Sequence, residues 1–166
     1  MKVFKEEQRF TQLWLHLIMA LTTIGSIIIL YKEWINNVDK SFSENKSYLI
    51  PIIIIIFTHL LIYKAKLSTK IDEIGIHYQF IPFQFSYRKI SWENIEKIYI
   101  RNYSPILEYG GWGLRYTFNK KRGNAVNISG NIGIQIELKN GKRLLIGIQK
   151  KEDVKRILET YKSKIS

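Results

Sequence analysis

Three kinds of hydrophobic pattern follow one another along the chain. Residues 13–31 run for 19 positions without a formal charge, and at 1.5 Å of rise per residue a helix of that length reaches across the ~30 Å hydrocarbon core of a bilayer. A second apolar run, residues 48–63, carries Pro51 in its first turn, where a missing N–H removes no helical hydrogen bond. From Lys70 onward the pattern changes to the short alternation of strands. At residues 151–165 it lengthens again, placing Val154, Ile157, Leu158, Tyr161 and Ile165 on one face of an amphipathic helix.

The two apolar runs predict a membrane hairpin. The five isoleucines at 52–56 also suit a buried strand, but an open strand edge is not tolerated in hydrocarbon, so a helix is the better assignment. A cleaved signal peptide is the competing reading of the first run. It is disfavoured because the run is long and continues as Tyr31-Lys32-Glu33-Trp34 with no A-x-A-like site. Lys2, Lys5 and Arg9 precede the first run and Lys64, Lys66 and Lys70 follow the second. The positive-inside rule then places both termini in the cytoplasm and the 32–47 connection outside. Trp14, Tyr31, Trp34, Tyr48 and Tyr63 fall near the helix ends, as interfacial aromatics do.

The alternating region predicts about seven strands, at 74–80, 84–90, 95–101, 113–118, 124–128, 132–138 and 143–148. Asn140-Gly141 between the last two predicts a type I′ turn. The expected organisation is therefore a membrane anchor at 1–65 and a mainly-β cytoplasmic domain at 66–166, closed by the C-terminal helix.

Charge sharpens that division. Of 26 Lys and Arg, six lie before residue 64 and twenty from residue 64 onward; of 14 Asp and Glu, five lie before it and nine after. Nearly all of the +12 net charge thus belongs to the second part. There is no cysteine, which excludes disulfides, thiolate metal sites and cysteine nucleophiles. Abundant Ile and Lys with scarce Ala point to an AT-rich bacterial coding sequence, and hence to the bacterial plasma membrane as the site of this multi-pass protein.

Few residues suggest chemistry. Gly110-Gly111-Trp112-Gly113 is the most unusual stretch. Either Trp112 grips a partner or the membrane interface with Arg115 beside it as an anion ligand, or the glycines form a bulge and Trp112 fills the core. Lys120, Lys121 and Arg122 read as a basic hairpin tip that either contacts anionic lipid or is merely solvated. His16 and His59 fall at similar depth in an antiparallel hairpin. They are either a functional pair or two imidazoles satisfied by the interface and by backbone carbonyls. His77 with Asp72 and Glu73 nearby reads as turn chemistry. Motifs for a catalytic triad, a metalloprotease, a phosphate loop or a nucleic-acid module do not occur in the sequence.

Three segments carry a resemblance: Ile71-Asp72-Glu73-Ile74-Gly75-Ile76, Ile90-Ser91-Trp92-Glu93-Asn94-Ile95-Glu96-Lys97-Ile98, and Gly141–Gly147 ahead of the final helix. With the Gly110–Arg115 segment as a GGWG-type signature, the chain resembles uncharacterised bacterial two-helix membrane proteins with a C-terminal PH-like domain. The resemblance implies a barrel of about seven strands capped by a helix. It also implies a binding or assembly module without known catalysis, and brings no established ligand. The leading expectation is a non-enzymatic membrane protein without cofactor or metal whose cytoplasmic domain contacts anionic headgroups, a membrane-protein partner or a second copy. A small accessory subunit of a membrane enzyme or transporter, using His16 and His59, is the alternative.

Overall fold

The computed structural model describes residues 2–36, 49–117 and 122–165. Within it the chain folds as two units, one made of the residues through Arg9 together with those from Ala65 on, and one spanning Phe10–Lys64. Lys120, Lys121, Phe118, Tyr48 and the 32–47 connection beyond Asn36 lie outside the described residues.

The Phe10–Lys64 unit consists of α1 (Leu13–Asn36) and α2 (Leu49–Lys64). Helix α1 runs past the expected Tyr31, is long and apolar enough to cross a membrane, and contains no buried residue. Helix α2 has 16 residues, about 24 Å, so its length alone falls short of a full crossing. Partly covered positions recur every three or four residues, at Leu15, Met19, Thr23, Ser26 and Leu30 of α1 and at Ile55, His59 and Ile62 of α2. A 2.9 Å hydrogen bond between the Thr23 hydroxyl and His59 Nε2 joins the two stripes.

The other unit is built on two sheets. The first contains β1 (Phe4–Arg9), β2 (Lys66–Ile71), β3 (Gly75–Ile81) and β4 (Arg88–Ser91), antiparallel and in chain order. A 3-10 turn at Trp92–Asn94 carries the chain to the second sheet. There β5 (Ile95–Asn102) is followed by a short helix α3 (Pro105–Tyr109), β6 (Gly113–Arg115), β7 (Asn124–Asn127), β8 (Ile132–Leu138) and β9 (Arg143–Gly147). Their spatial order is β5-β8-β9-β7-β6, with β7 and β9 parallel. Helix α4 (Lys151–Tyr161) closes the chain and passes into a 3-10 turn at Lys162–Lys164, so the single helix expected at 151–165 is divided.

A strand is present in each of the seven expected stretches, but the one expected at 84–90 begins only at Arg88, with 84–87 in a loop, and two further strands, β1 and β2, were not anticipated. Strand β1 lies in what reads as the anchor: its six residues pair in full with β2, from Phe4 opposite Ile71 to Arg9 opposite Lys66. Among the described residues the two ladders do not close into a barrel. The Asn140-Gly141 turn also differs from expectation. Type I′ needs φ > 0 at both central residues, yet Gly141 (φ 75°) is left-handed and Asn140 is not. Instead Gly141 N–H donates to Leu138 C=O and Leu138 N–H donates to Lys142 C=O, a longer loop that needs one left-handed residue only.

Branched aliphatic side chains dominate the core: Leu67, Ile71, Ile76, Ile95, Val126, Ile128, Ile134, Ile136, Ile146, Ile148 and Val154 are all fully buried. Trp92 is buried too, stacking on Tyr161 of α4 at 5.6 Å and donating its indole N–H to Asp72 C=O at 2.9 Å. Strand β1 holds α4 from the other side. Gln149 N–H donates to the buried Glu6 carboxylate (2.8 Å), Gln8 donates to Gly147 C=O (2.9 Å), and Tyr161 O–H donates to Lys2 C=O (2.5 Å). The first strand and the last helix of the chain therefore depend on each other.

Candidate functional site

The glycine-rich segment begins as a capping device. Ser104 accepts from Leu107 N–H, Pro105 occupies the first helical position, and Glu108 reaches back to Ser104 N–H at 2.8 Å. Gly110 (φ 71°) then ends α3 in the left-handed region, and Gly111 and Gly113 also have positive φ. Trp112, set among these bends, is half-buried rather than in the core, and its indole N–H approaches Gly130 C=O at 3.4 Å.

Both described arginines of the expected binding set act as braces. Arg115 Nε donates to Trp112 C=O at 2.9 Å, and its guanidinium lies against Gly111, where a Cβ would sit 2.9 Å from Nη2. Arg122 donates to the Leu107 and Glu108 carbonyls at the end of α3 (3.2 and 3.4 Å). Near them, Arg101 holds Glu108 through two hydrogen bonds (2.8 and 3.2 Å) and also reaches Gln135 and Tyr109 (both 3.0 Å). That hydrogen bonding to Arg101 lowers the Glu108 carboxyl below its usual range. Burial pushes the Tyr103 phenol, which accepts from Asn127, up to about 12. The region sequence reasoning singled out is thus a fastening of one insertion onto β5, β7 and β8.

Asp72 and His77 do come together, Nε2 to Oδ1 at 3.1 Å, as part of a turn. Asp72 also receives Lys70 Nζ at 2.7 Å and Ile74 N–H at 2.9 Å. Burial by itself would raise this carboxyl, but Lys70, the Ile74 N–H and His77 outweigh it and hold it well below the carboxylate range. In the helical unit, His59 is bonded to Thr23 and, through Nδ1, to the Ile55 carbonyl at 2.8 Å. His16 occupies an exposed position of α1. It precedes Thr23 by seven residues, about 10 Å along the helix, so the two histidines do not pair, and His59 follows the other reading, an imidazole satisfied by a backbone carbonyl.

An unanticipated site lies between β5 and α4. Among the described residues strand β5 is an edge strand paired only with β8, and Ile98 and Ile100 are incompletely covered, unlike Ile134 and Ile136 opposite. With Leu158 of α4 and Ile165 they floor a groove of about 620 Å³ rimmed by Glu96, Lys97, Lys151, Glu152, Lys155, Glu159 and Lys162. A free ladder edge beside an apolar floor is suited to adding one more extended strand. One signal was available in the sequence: the apolar stripe of 151–165 is wider than the three buried positions Val154, Ile157 and Tyr161 that pack the core. The exposed edge of β5 had no local signal, because edge position follows from strand order.

No family model, curated protein or solved structure matches the chain.

Proposed function

We propose that this is a non-enzymatic, two-crossing protein of the bacterial plasma membrane whose cytoplasmic β unit docks an extended segment of a partner protein between β5 and α4. The carrying observation is the groove itself. Four aliphatic side chains stay partly uncovered beside a strand whose outer N–H and C=O groups face no neighbouring strand. Such a site selects a partner strand with apolar residues at alternate positions and polar ones between them, matched to the mixed charges of the rim.

Strand pairing supports the membrane part. Because Arg9 stands opposite Lys66, the chain leaves the sheet and returns to it at one place, so residues 10–65 cross a membrane an even number of times. With α1 apolar and unburied, that number is two. The exposed isoleucines of α2 agree, and a short helix is accommodated by local thinning and by Lys64 extending to the interface. The same pairing argues against a cleaved signal, since cleavage after α1 would remove β1. Lys2, Lys5, Arg9, Lys64, Lys66 and Lys70 favour the cytoplasmic side. Setting aside the α3–β6–β7 excursion, the order is four antiparallel strands, three antiparallel strands and a helix, which is the PH-like order. A non-enzymatic role fits the commitment of the Asp72–His77 pair to a turn.

The test is site-specific photocrosslinking in intact cells, with a photoreactive side chain at Ile98, at Leu158 or, as control, at Lys142. Discrete adducts from Ile98 and Leu158 that disappear when Ile100→Asp is added, with none from Lys142, are expected. A folded, membrane-inserted protein giving no adduct from either groove position overturns the proposal.

A further inference from the structure

The loop joining β3 to β4 has its polarity inverted. Gln84 is buried, accepting from Phe80 N–H through its side chain (3.0 Å), donating its backbone N–H to Phe80 C=O (2.8 Å) and accepting from Gln79 at its carbonyl (3.1 Å). Its two neighbours point the other way: Phe83 is 60% exposed and Phe85 94% exposed, with Tyr87 half-exposed beyond them. The loop is internally bonded, and Phe83 stacks on Phe80 at 6.0 Å. The aromatics are therefore held outward by a fixed frame. Polar burial beside aromatic exposure contributes nothing to the packing of the β unit, so the exposed rings are available for a surface outside it.

Strand register identifies that surface. Lys66 is opposite Arg9 on one side and opposite Ile81 on the other. The end of the first sheet that carries this loop is thus the end where the chain passes to α1 and returns from α2. Only Ala65 separates Lys64, the last residue of α2, from Lys66, and two peptide units reach no further than about 7 Å. Arg88, exposed, follows the aromatics, and Arg9 and Lys64 belong to the same end.

We infer that the β3–β4 loop is a second membrane contact, in which Phe83 and Phe85 insert into the interface of the bilayer that holds α1 and α2 while Arg88 meets its anionic headgroups. The inference rests on the membrane-spanning reading proposed above and goes beyond it. The β unit is pressed onto the bilayer by its own loop, which fixes its orientation and keeps the opposite end of the sheet in water. Binding is to the interface as a medium, since two exposed rings and one basic side chain recognise no particular headgroup.

The absence of cysteine makes the test direct. Full-length protein is reconstituted in vesicles of 70% phosphatidylcholine and 30% phosphatidylglycerol, with one environment-sensitive fluorophore at F85C, at E73C in the turn at the far end of the same sheet, or at I54C within α2. Shallow and deep nitroxide lipids report depth. The expected result is blue-shifted F85C emission quenched at least twofold by the shallow nitroxide, no quenching at E73C, and quenching of I54C by the deep one. F85C emission matching E73C while I54C is quenched overturns the loop contact and leaves the spanning reading in place. An unquenched I54C overturns the spanning reading, and F85C then decides the loop by itself: quenched upholds the contact, unquenched overturns it.

Discussion

Two long excursions interrupt the β unit, and they are attached in opposite ways. Residues 10–65 leave the ladder between β1 and β2, and residues 103–131 leave it between β5 and β8; in both cases the flanking strands are antiparallel neighbours. The first excursion contains α1, with no buried residue, and an α2 dominated by exposed isoleucines. The second is tied down by side-chain hydrogen bonds: Arg101 to Glu108 and Tyr109, Asn127 to Tyr103 and to Gly113 N–H, and Arg122 to the end of α3. One insertion looks outward for its stabilising medium. The other is fastened to the sheet it interrupts.

The difference teaches where each part derives its stability. In the membrane-spanning reading proposed above, the apolar helices are surrounded by hydrocarbon, and their hydroxyls suit it: Thr22, Thr23 and Ser26 bond to carbonyls one turn back. The second excursion joins the sheet through β7, which pairs in parallel with β9 and buries Val126 beside Ile128, while α3 rests on a small cluster of Tyr103, Tyr109, Ala125 and Leu145 and on polar geometry. Between the excursions stands a frame of β1–β5, β8, β9 and α4, which neither can do without.

The largest effect is expected from deleting residues 2–9. The deletion removes a six-residue ladder, buried Phe4, and the Glu6, Gln8 and Lys2 contacts that hold α4. The loss is comparable to the ~5–15 kcal/mol that typically separates folded from unfolded domains. The deleted protein in detergent should lose its cooperative thermal transition and its resistance to trypsin. A β unit that still melts cooperatively without those residues would make β1 an accessory strand and undo the argument for an even number of crossings.

That strand also marks the limit of what was legible. Helices α1, α2 and α4 and seven strands follow from local periodicity, because each carries its burial pattern in its own residue types. Strand β1 does not. Its inward positions are Phe4, Glu6 and Gln8, and two polar residues facing a core give no alternation to read. Their burial makes sense only once Gln149 N–H and Gly147 C=O are brought near by the other end of the chain. Helix α3 was legible but overlooked: Ser104-Pro105, Glu108 and Gly110 form a start-and-stop signature. The site residues were found in part. Trp112, Arg115 and Arg122 are unusual for a structural reason, whereas the β5–α4 groove depends on strand order, which periodicity does not carry.

Next in size is Asp72→Asn in the frame. The carboxylate anchors Lys70, His77 and the Ile74 N–H while nearly inaccessible to water, and removing one partner of a buried charged cluster costs about 3 kcal/mol. Its folded pKa lies below the unfolded value. Its contribution is therefore fully present above the ordinary carboxylate range near ~4 and is lost as pH falls from there toward the folded value. Thermal melts from pH 7 down to pH 3 should show the native protein losing stability on the acid side and the variant losing less. Parallel acid limbs would remove Asp72 from the frame.

Arg101→Ala should act more locally, at about 1–2 kcal/mol. It frees the partly exposed Glu108 and the buried Tyr109 and loosens α3 from the sheet. Hydrogen exchange should quicken at Leu107 through Gly113 while β8 and β9 keep their protection. Uniform quickening across β8 and β9 would show that the second excursion belongs to the frame and is not fastened to it.

The smallest expected effect belongs to Thr23→Val, inside the first excursion. His59 Nδ1 reaches the Ile55 carbonyl, so in the neutral ring Nδ1 carries the proton and Nε2 accepts from the Thr23 hydroxyl. That hydroxyl also lies 2.8 Å from the Met19 carbonyl, and its single proton is shared between the two acceptors. Replacing it removes an interhelical bond that is only partly made, in a medium where such bonds average about 0.6 kcal/mol. Valine keeps the shape, so unfolding in mild detergent should shift by no more than that amount. His59→Phe removes the same bond and should match it, with no further loss when both changes are combined. A double variant weaker than either single one would mean that the ring has a second partner within the helical unit, and that polar contacts hold this excursion together as they hold the other.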